Sequence, residues 1–365
     1  MEKDPFKEYI LESEPTKKEL GYSWYTAIGL QRVDGLKTSE YLKSVAISNI
    51  DGDISLEKAE ELINSYYEEN DNHSSDYEEA DKVSVNIAKN LSDKSFVFTP
   101  AQYLDIHKQI FANVYPHAGK IRTFNISKKE WVLDGDTVLY GGASLLKETL
   151  EYDFNIEKNF DYSTLSQDEF LTHISRFISN LWQIHVFSEG NTRTTAVFLI
   201  KYLRKFGYDV TNEVFAQNAW YFRNALVRAN YTNVEKGIFE TTRYIELFLE
   251  NLLFNGNHEL KNRYLHIRWN EKVDIERIKV EIAKEKVDIE KVKISKTIRK
   301  NIEILYQALK DFEYFGRKEI IDVLKMSPSG ASKLISKLLD TKVIIQVFKH
   351  GKGKYCFNIN RVNYE

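Results

Sequence analysis

Cysteine is nearly absent from this chain: Cys356 is the single thiol in 365 residues. That excludes an intramolecular disulfide framework and points to a reducing, cytoplasmic compartment. Proline and glycine are also scarce, at 5 and 16 residues. A turn-rich β-sandwich needs more of both, so a mainly α protein is expected. No run approaches the roughly eighteen apolar residues of a membrane-spanning helix. The opening stretch MEKDPFKEYILESEP is acidic and has no apolar leader core, so neither a membrane contact nor a secretory leader is expected. Positive charge is not in excess either. A formal net charge of −3 argues against a globally basic nucleic-acid binder but leaves room for a local basic patch. What the chain does have is apolar material, 42% of residues, with 13% aromatic. That is ample for a packed core, and the length predicts two or three domains.

Apolar residues recur at helical spacing along most of the sequence. KTSEYLKSVAISNIDGD, 37–53, reads as a helix capped by Thr38 or Ser39 and ended by an Asp-Gly turn. ISLEKAEELINSYYEE continues the pattern, and a polar loop separates it from a helix near 81–92. Further helices are expected in FTPAQYLDIHKQIFANVY, SLLKETLEYDFNIEKNF and LTHISRFISNLWQIHVF. In the last, Ile174, Phe177, Ile178, Leu181 and Ile184 share one face. Between them, 118–143 alternates and contains Asp-Gly and Gly-Gly, the pattern of a β-hairpin.

The C-terminal third changes character. Residues 273–300 repeat with a period of seven (VDIERIK, VEIAKEK, VDIEKVK, ISKTIRK). They read first as a connecting or docking segment; a coil holding a homodimer is the second reading. From 300 onward the order is helix, turn, helix, then strand, basic Gly-rich tip and strand, the pattern of a winged helix-turn-helix. This stretch carries twelve Lys and Arg against seven Asp and Glu. Ser327, Ser329, Lys333 and Lys337 on its second helix, and Lys349, Lys352 and Lys354 on the wing, suit phosphate contact with DNA. A protein-binding role for the same module stays open beside it.

The densest chemistry lies in HVFSEGNTRTTA, His185 to Ala196. A histidine after an apolar helix is most often structural, and Gly-Asn between helices is most often a turn. Together, these residues do more. His185 titrates near neutrality, as a general base must. Glu189 is a hard oxygen ligand suited to Mg²⁺. Gly190 lets backbone approach a ligand closely. Asn191 and its successors begin a helix, whose free N–H groups and dipole favour an anion. Arg193 adds a fork of donors matched to phosphate oxygens, and Phe187 anchors the loop in the core. Base, metal ligand, anion cradle and guanidinium within one loop describe nucleotidyl or phosphoryl transfer.

The loop resembles the motif H-x-F-x-D/E-G-N-G-R-x-x-R of the Fic family. His185, Phe187, Glu189, Gly190, Asn191 and Arg193 match it, Thr192 replaces its last glycine, and Ala196 replaces its final arginine. Gly119, Lys120 and Arg122 resemble the family's entry into a hairpin flap, and Tyr221 to Asn230 its downstream helix. The resemblance covers roughly 98–255. It implies a Fic-type helical core with a flap, accompanied by the C-terminal winged helix. The implied division is 1–97 N-terminal region, 98–256 core, 257–299 connector and 300–365 winged helix.

It also implies a protein adenylyltransferase that moves AMP from ATP to a Ser, Thr or Tyr hydroxyl of a target protein. In that reading His185 is the base and Glu189 holds Mg²⁺. Gly190, Asn191, Thr192 and Arg193 bind phosphate, and Phe222 and Asn230 contact the nucleoside. Flap residues Asn125, Ile126, Ser127 and Lys128 position the target, with self-modification expected as well. Related enzymes that transfer UMP, phosphocholine or phosphate, and a DNA-binding regulator with a nucleotide-sensing core, are the alternatives.

Two departures from the family stand out. Many members carry an inhibitory S/T-x-x-x-E-G/N segment whose glutamate pairs with the motif's last arginine. SVAISN, Ser44 to Asn49, resembles it, but Ser48 stands in the glutamate's place. Ala196 removes the other end. Restraint by that ion pair is therefore not expected, nor is the reverse reaction, which uses the same glutamate.

Overall fold

The computed structural model describes residues 15–69, 75–210, 213–269, 296–309, 315–340, 343–346 and 354–357. The chain divides into two compact units, Met1–Glu271 and Lys272–Glu365. Most of the seven-residue repeat, 273–295, lies outside the described residues, as do Lys349 and Lys352.

The larger unit is built of helices: α1 Pro15–Leu30, α2 Glu40–Asp51, α3 Leu56–Glu68, α4 Ser75–Ser92, α5 Pro100–Ile110, α6 Leu146–Lys158, α7 Gln167–Ile184, α8 Asn191–Lys205, α9 Val214–Ala229 and α10 Arg243–Leu253. Local chemistry sets several of their ends. The Ser39 hydroxyl accepts from Leu42 N at the start of α2, and Gly52 closes that helix at φ 88°. Thr99 caps α5, which has Pro100 in its first turn. Ser166 and Glu169 form a reciprocal capping box on α7. The polar stretch before residue 81, expected as loop, is helical from Ser75. Its buried face, including Ala80, Val83 and Ile87, packs α4 against α1, α3 and α5, so tertiary burial decides the boundary.

The N-terminal helices share one core with the rest of the unit, from Trp24 to Leu265. Gly29 lets α1 cross α9 backbone to backbone; a Cβ there would sit 2.4 Å from Ala216 Cα. From α8, Lys201 donates to the carbonyls of Asn90 and Asp93, and Arg204 to Leu91. Two cations thus satisfy the Asn90 and Leu91 carbonyls in the last turn of α4 and that of Asp93 just beyond it.

The expected hairpin at 118–143 is different in the structure. No strand forms there; two extended arms flank a 3₁₀ turn, Trp131–Leu133, closed by Asp134 at φ 58°. Near the tip, the Glu130 amide donates to the Asp136 carbonyl. Further out, the Thr137 hydroxyl takes the place of a backbone ladder, accepting from Lys128 N and from Ser127 Oγ. Docking overrides the alternating pattern. The Asp134 and Asp136 carboxylates meet Arg268 and Tyr231, and Val132 O accepts from Ile267 N.

The smaller unit runs α11 Lys296–Leu309, β1 Phe315–Gly316, α12 Arg317–Leu324, α13 Pro328–Asp340, β2 Ile344–Gln346 and β3 Lys354–Phe357. The strands form an antiparallel sheet in the order β1-β3-β2, with Phe315 opposite Tyr355 and Ile344 opposite Phe357. Leu305, Phe315, Ile320, Ala331 and Leu338 fill its own small core.

Candidate active site

α7 ends and α8 begins at the loop 185–190, so a helix C-terminus and a helix N-terminus meet at one point. His185 occupies the C-cap of α7 at φ 52°. Its Nδ1 faces the Trp182 carbonyl at 3.3 Å, while Nε2 is buried with no hydrogen-bond partner. With the proton on Nδ1 toward that carbonyl, Nε2 keeps its lone pair. The Tyr140 ring lies against the imidazole, 4.2 Å between centroids. Burial holds the His185 pKa well below its usual value, and the charge of Lys128 adds to the effect.

Arg122 fixes this corner. Its side chain donates to the carbonyls of His185, Ile184, Phe124 and Gly141, and its own amide donates to Val186 O. One buried guanidinium thus ties both flap arms to the end of α7. His107 does the same for the loop. Its ring stacks on Phe187 at 3.7 Å, its Nδ1 accepts from Gly119 N at 2.8 Å, and its Nε2 meets Glu189 O at 3.1 Å. Accepting at Nδ1 requires the neutral ring, and burial pushes its pKa down to about 3. The motif-based reading named neither role. The clue to both was position: Arg122 in the flap entry, and a histidine on the buried face of α5.

Gly190 sits at φ 75°, and a Cβ there would lie 2.2 Å from Phe111 Cζ. Backbone conformation and the Phe111 ring both demand glycine. Asn191, expected to offer its amide to an anion, instead braces the loop: Oδ1 accepts from Phe187 N at 3.0 Å and Nδ2 donates to Phe187 O at 2.8 Å. The first-turn N–H groups of α8 have no intrahelical acceptor, although the residues that carry them, Asn191 to Arg193, are buried. Thr192, which replaces the family's glycine, accepts from Trp182 Nε1 at 3.0 Å and pins α8 to α7.

Arg193 does not extend toward the mouth of the site. It is 1% exposed, with Nη1 on Gln31 Oε1 at 3.0 Å and Nη2 on Glu79 Oε1 at 2.8 Å. Its Nε lies 2.9 Å from Asp34 Oδ2, an ion pair without hydrogen-bond alignment. The guanidinium also covers the Phe111 ring at 4.8 Å. Burial disfavours its charge, but Asp34, Tyr115 and Glu79 more than offset that and raise its pKa. The resemblance implies a phosphate contact for Arg193; here its guanidinium is held by Gln31, Glu79 and Asp34. The carboxylates that hold it lie more than a hundred residues away in sequence, beyond the reach of motif reading.

Ala196 is fully buried one turn further along α8. The Ser44–Asn49 segment lies on α2, where its side chains bond close to home. Ser44 Oγ donates to Tyr41 O, Asn49 Oδ1 accepts from Trp24 Nε1, and its Nδ2 donates to Ile54 O. Ser48 O caps the end of α2 by accepting from Asp53 N.

Glu189 is the half-exposed carboxylate of the loop, and the flap meets it: Lys128 Nζ lies 3.0 Å from its Oε2. Asn125 Oδ1 accepts from Ala143 N, steadying the flap base, and Ile126 between them is half-buried. Phe222, expected near a nucleoside, is fully buried against Phe215 and Phe248. The Asn230 amide donates to the carbonyls of Ser179 and Leu226, so its nitrogen serves as a helix-end brace.

Residues 97–203, the segment that contains this loop and the flap, match the Fic/DOC family. A stretch of 111 residues is 31% identical to a probable protein adenylyltransferase of Sinorhizobium fredii. The match takes in 30% of this chain and 55% of that relative, so it spans about half the relative's length. In a search of solved structures, a Fic family protein from Desulfovibrio desulfuricans aligns over 93% of this chain and 87% of its own, at 11% identity and a TM-score of 0.40. The family match is thus to the segment 97–203, which holds the loop and its preceding extended segment, and not to the whole chain. Among the described residues, no helix is long and apolar enough to cross a membrane.

Proposed function

We propose that this chain is a protein adenylyltransferase that transfers AMP from ATP to a hydroxyl side chain of a target protein, itself included. The observation that carries the reading is His185 Nε2: buried, unpartnered, and set where α7 ends and the N-terminus of α8 begins. The target hydroxyl gives its proton to Nε2 while its oxygen bonds to the α-phosphorus. The bond from that phosphorus to the bridging oxygen breaks, and pyrophosphate leaves with the electron pair. The depressed pKa of His185 keeps the imidazole neutral, and so able to accept, at neutral pH. The N–H groups of α8's first turn stabilise the charge that builds on the phosphate.

Glu189 is the residue that fits Mg²⁺. It is half-exposed and already attracts one cation, Lys128. Among the described residues no group of three metal-ligating side chains gathers, which suits an ion held by one carboxylate, substrate phosphates and water. When bound, the ion offsets phosphate charge. The extended arm 125–128 makes no backbone ladder with its partner arm; only its Lys128 amide is engaged there, by the Thr137 hydroxyl, which favours pairing of the rest with an extended target segment.

The C-terminal unit supports a winged helix-turn-helix reading. Its order is helix, strand, two helices and a two-stranded hairpin, and Lys333 and Lys337 are exposed along α13. Its partner is DNA or a protein, and salt-dependent retention of duplex DNA separates the two.

The test is purified protein with Mg²⁺ and ATP labelled on the α- or the γ-phosphate. Label from the α position alone, with the mass increment of AMP on the modified protein, supports the reading. Loss of transfer in His185→Ala supports the base. Transfer of γ-label, or of a different mass, would replace adenylylation with another Fic-type transfer.

A further inference from the structure

The motif arginines leave a gap. Position 196 is a buried alanine, and Arg193 is turned inward onto Gln31, Glu79 and Asp34. A triphosphate seated at the start of α8 would meet neither guanidinium. Three other cations bear on His185: Lys128, Arg122 and Arg223. Arg122 is committed to four backbone carbonyls, and Arg223 forks onto the fully buried Glu130. Lys128 differs from both. It is 31% exposed, and its partner Glu189 is 55% exposed, so its ion pair lies in water and is cheap to exchange. Its reach is also right, because it already touches the loop residue that immediately precedes Gly190.

We infer that Lys128 is the phosphate-binding cation of this site, supplying from the flap the positive charge that the motif lacks at position 196. This rests on the reading that a nucleoside triphosphate occupies the loop at the start of α8. Without nucleotide, Lys128 neutralises Glu189. With nucleotide and a divalent cation present, Glu189 turns to the metal and Lys128 Nζ donates to phosphate oxygens. Lys128 is then a nucleotide-binding residue before it is a target-positioning one, and its effect appears with no target in the assay.

Calorimetric titration of the full chain tests this in Mg²⁺ buffer, with ATP, adenosine and inorganic tripolyphosphate as probes. Lys128→Ala should weaken ATP and tripolyphosphate by about tenfold or more, the scale of one charge-assisted contact, and leave adenosine unchanged. Lys128→Arg should restore most of the loss. Lys129→Ala, the adjacent exposed lysine, should bind like wild type. ATP binding by Lys128→Ala equal to wild type overturns the inference. So does an equal loss for adenosine, which would make Lys128 a brace of the flap. Failure of the underlying reading looks different. Wild-type protein that binds tripolyphosphate but not ATP refutes the adenylyl donor while still testing Lys128, and wild-type protein that binds neither refutes both.

Discussion

Replacing Arg193 with methionine separates two roles that a motif arginine can have. The structure makes it a buried tie between α8 and the N-terminal elements, with Asp34 and Glu79 as its counter-charges. Removing one partner of a buried ion pair costs about 3–5 kcal/mol when the other charge is left stranded. Here the stranded acids keep 35% and 25% exposure, so water recovers part of the loss, and about 2–3 kcal/mol is the reasonable scale. For a unit of this size that corresponds to roughly 4–12 °C in Tm. Methionine preserves much of the volume, so the loss reports charge more than packing. Adding Asp34→Asn and Glu79→Gln to Arg193→Met removes the stranded charges and should recover most of the stability. Thermal unfolding measures the first quantity and ATP titration the second. ATP affinity, corrected for folded fraction, should stay within about threefold of wild type, well under one charge-assisted contact. An unchanged Tm with lost ATP binding would refute the reasoning: Arg193 would then be a phosphate ligand, its carboxylate contacts incidental.

The remaining predictions concern the loop and its supports. Gly190→Ala combines a positive φ, worth about 1–2 kcal/mol for an L-residue, with a Cβ 2.2 Å from Phe111 Cζ; chemical denaturation should show a loss beyond the φ cost alone, and a silent variant would mean the loop is built differently. Thr192→Gly restores the family's residue but deletes the bond from Trp182 Nε1; a loss of about 1–2 kcal/mol is expected from that bond and the added backbone freedom, with transfer activity retained. His107 gives a pH signature. Its folded pKa is depressed to about 3, so its contribution is fully present above the unfolded value near 6.5 and is lost as pH falls toward 3. The slope is about 1.4 kcal/mol per pH unit in that window. His107→Gln, which keeps a donor and an acceptor, should unfold with a visibly flatter pH dependence between 6 and 4.

Much of the site was legible because its chemistry is local. The apolar stripe of Ile174, Phe177, Ile178, Leu181 and Ile184 did form α7, with all five buried, and Gly190 does take the positive φ that a close turn requires. The flap was legible as an extended segment but not as an irregular one. Alternation and turn residues report backbone preference; they do not report that Arg268, Tyr231 and Ile267 dock the tip and draw it into a 3₁₀ turn. Side-chain direction was the least legible layer. Asn191 and Arg193 occupy the positions the motif assigns, yet one side chain turns back to Phe187 and the other inward to Glu79. A motif fixes where a residue sits on a helix, and partners from distant segments decide which way its side chain goes.

That division bears on how phosphate is held. With Asn191 and Arg193 turned inward and Ala196 buried, the anion cradle reduces to backbone N–H groups at one helix start plus whatever the flap brings. Backbone donors and a helix dipole favour any phosphate, but modestly, up to about 2 kcal/mol at a terminus whose residues are buried as these are. On the adenylyltransferase reading proposed above, selectivity for a triphosphate then depends on Lys128, which lies 3.0 Å from Glu189, and on a metal at Glu189. On that reading the contact between the 118–143 segment and the loop is itself part of the nucleotide site. The flap's anchors, Glu130 to Arg223 and Asp136 to Tyr231, therefore support nucleotide binding from the far side. Glu130→Gln, which weakens the Arg223 fork, should accordingly raise the ATP dissociation constant without touching any residue of the motif. An unchanged constant in that variant would mean that Lys128 reaches the phosphates independently of how the flap is held.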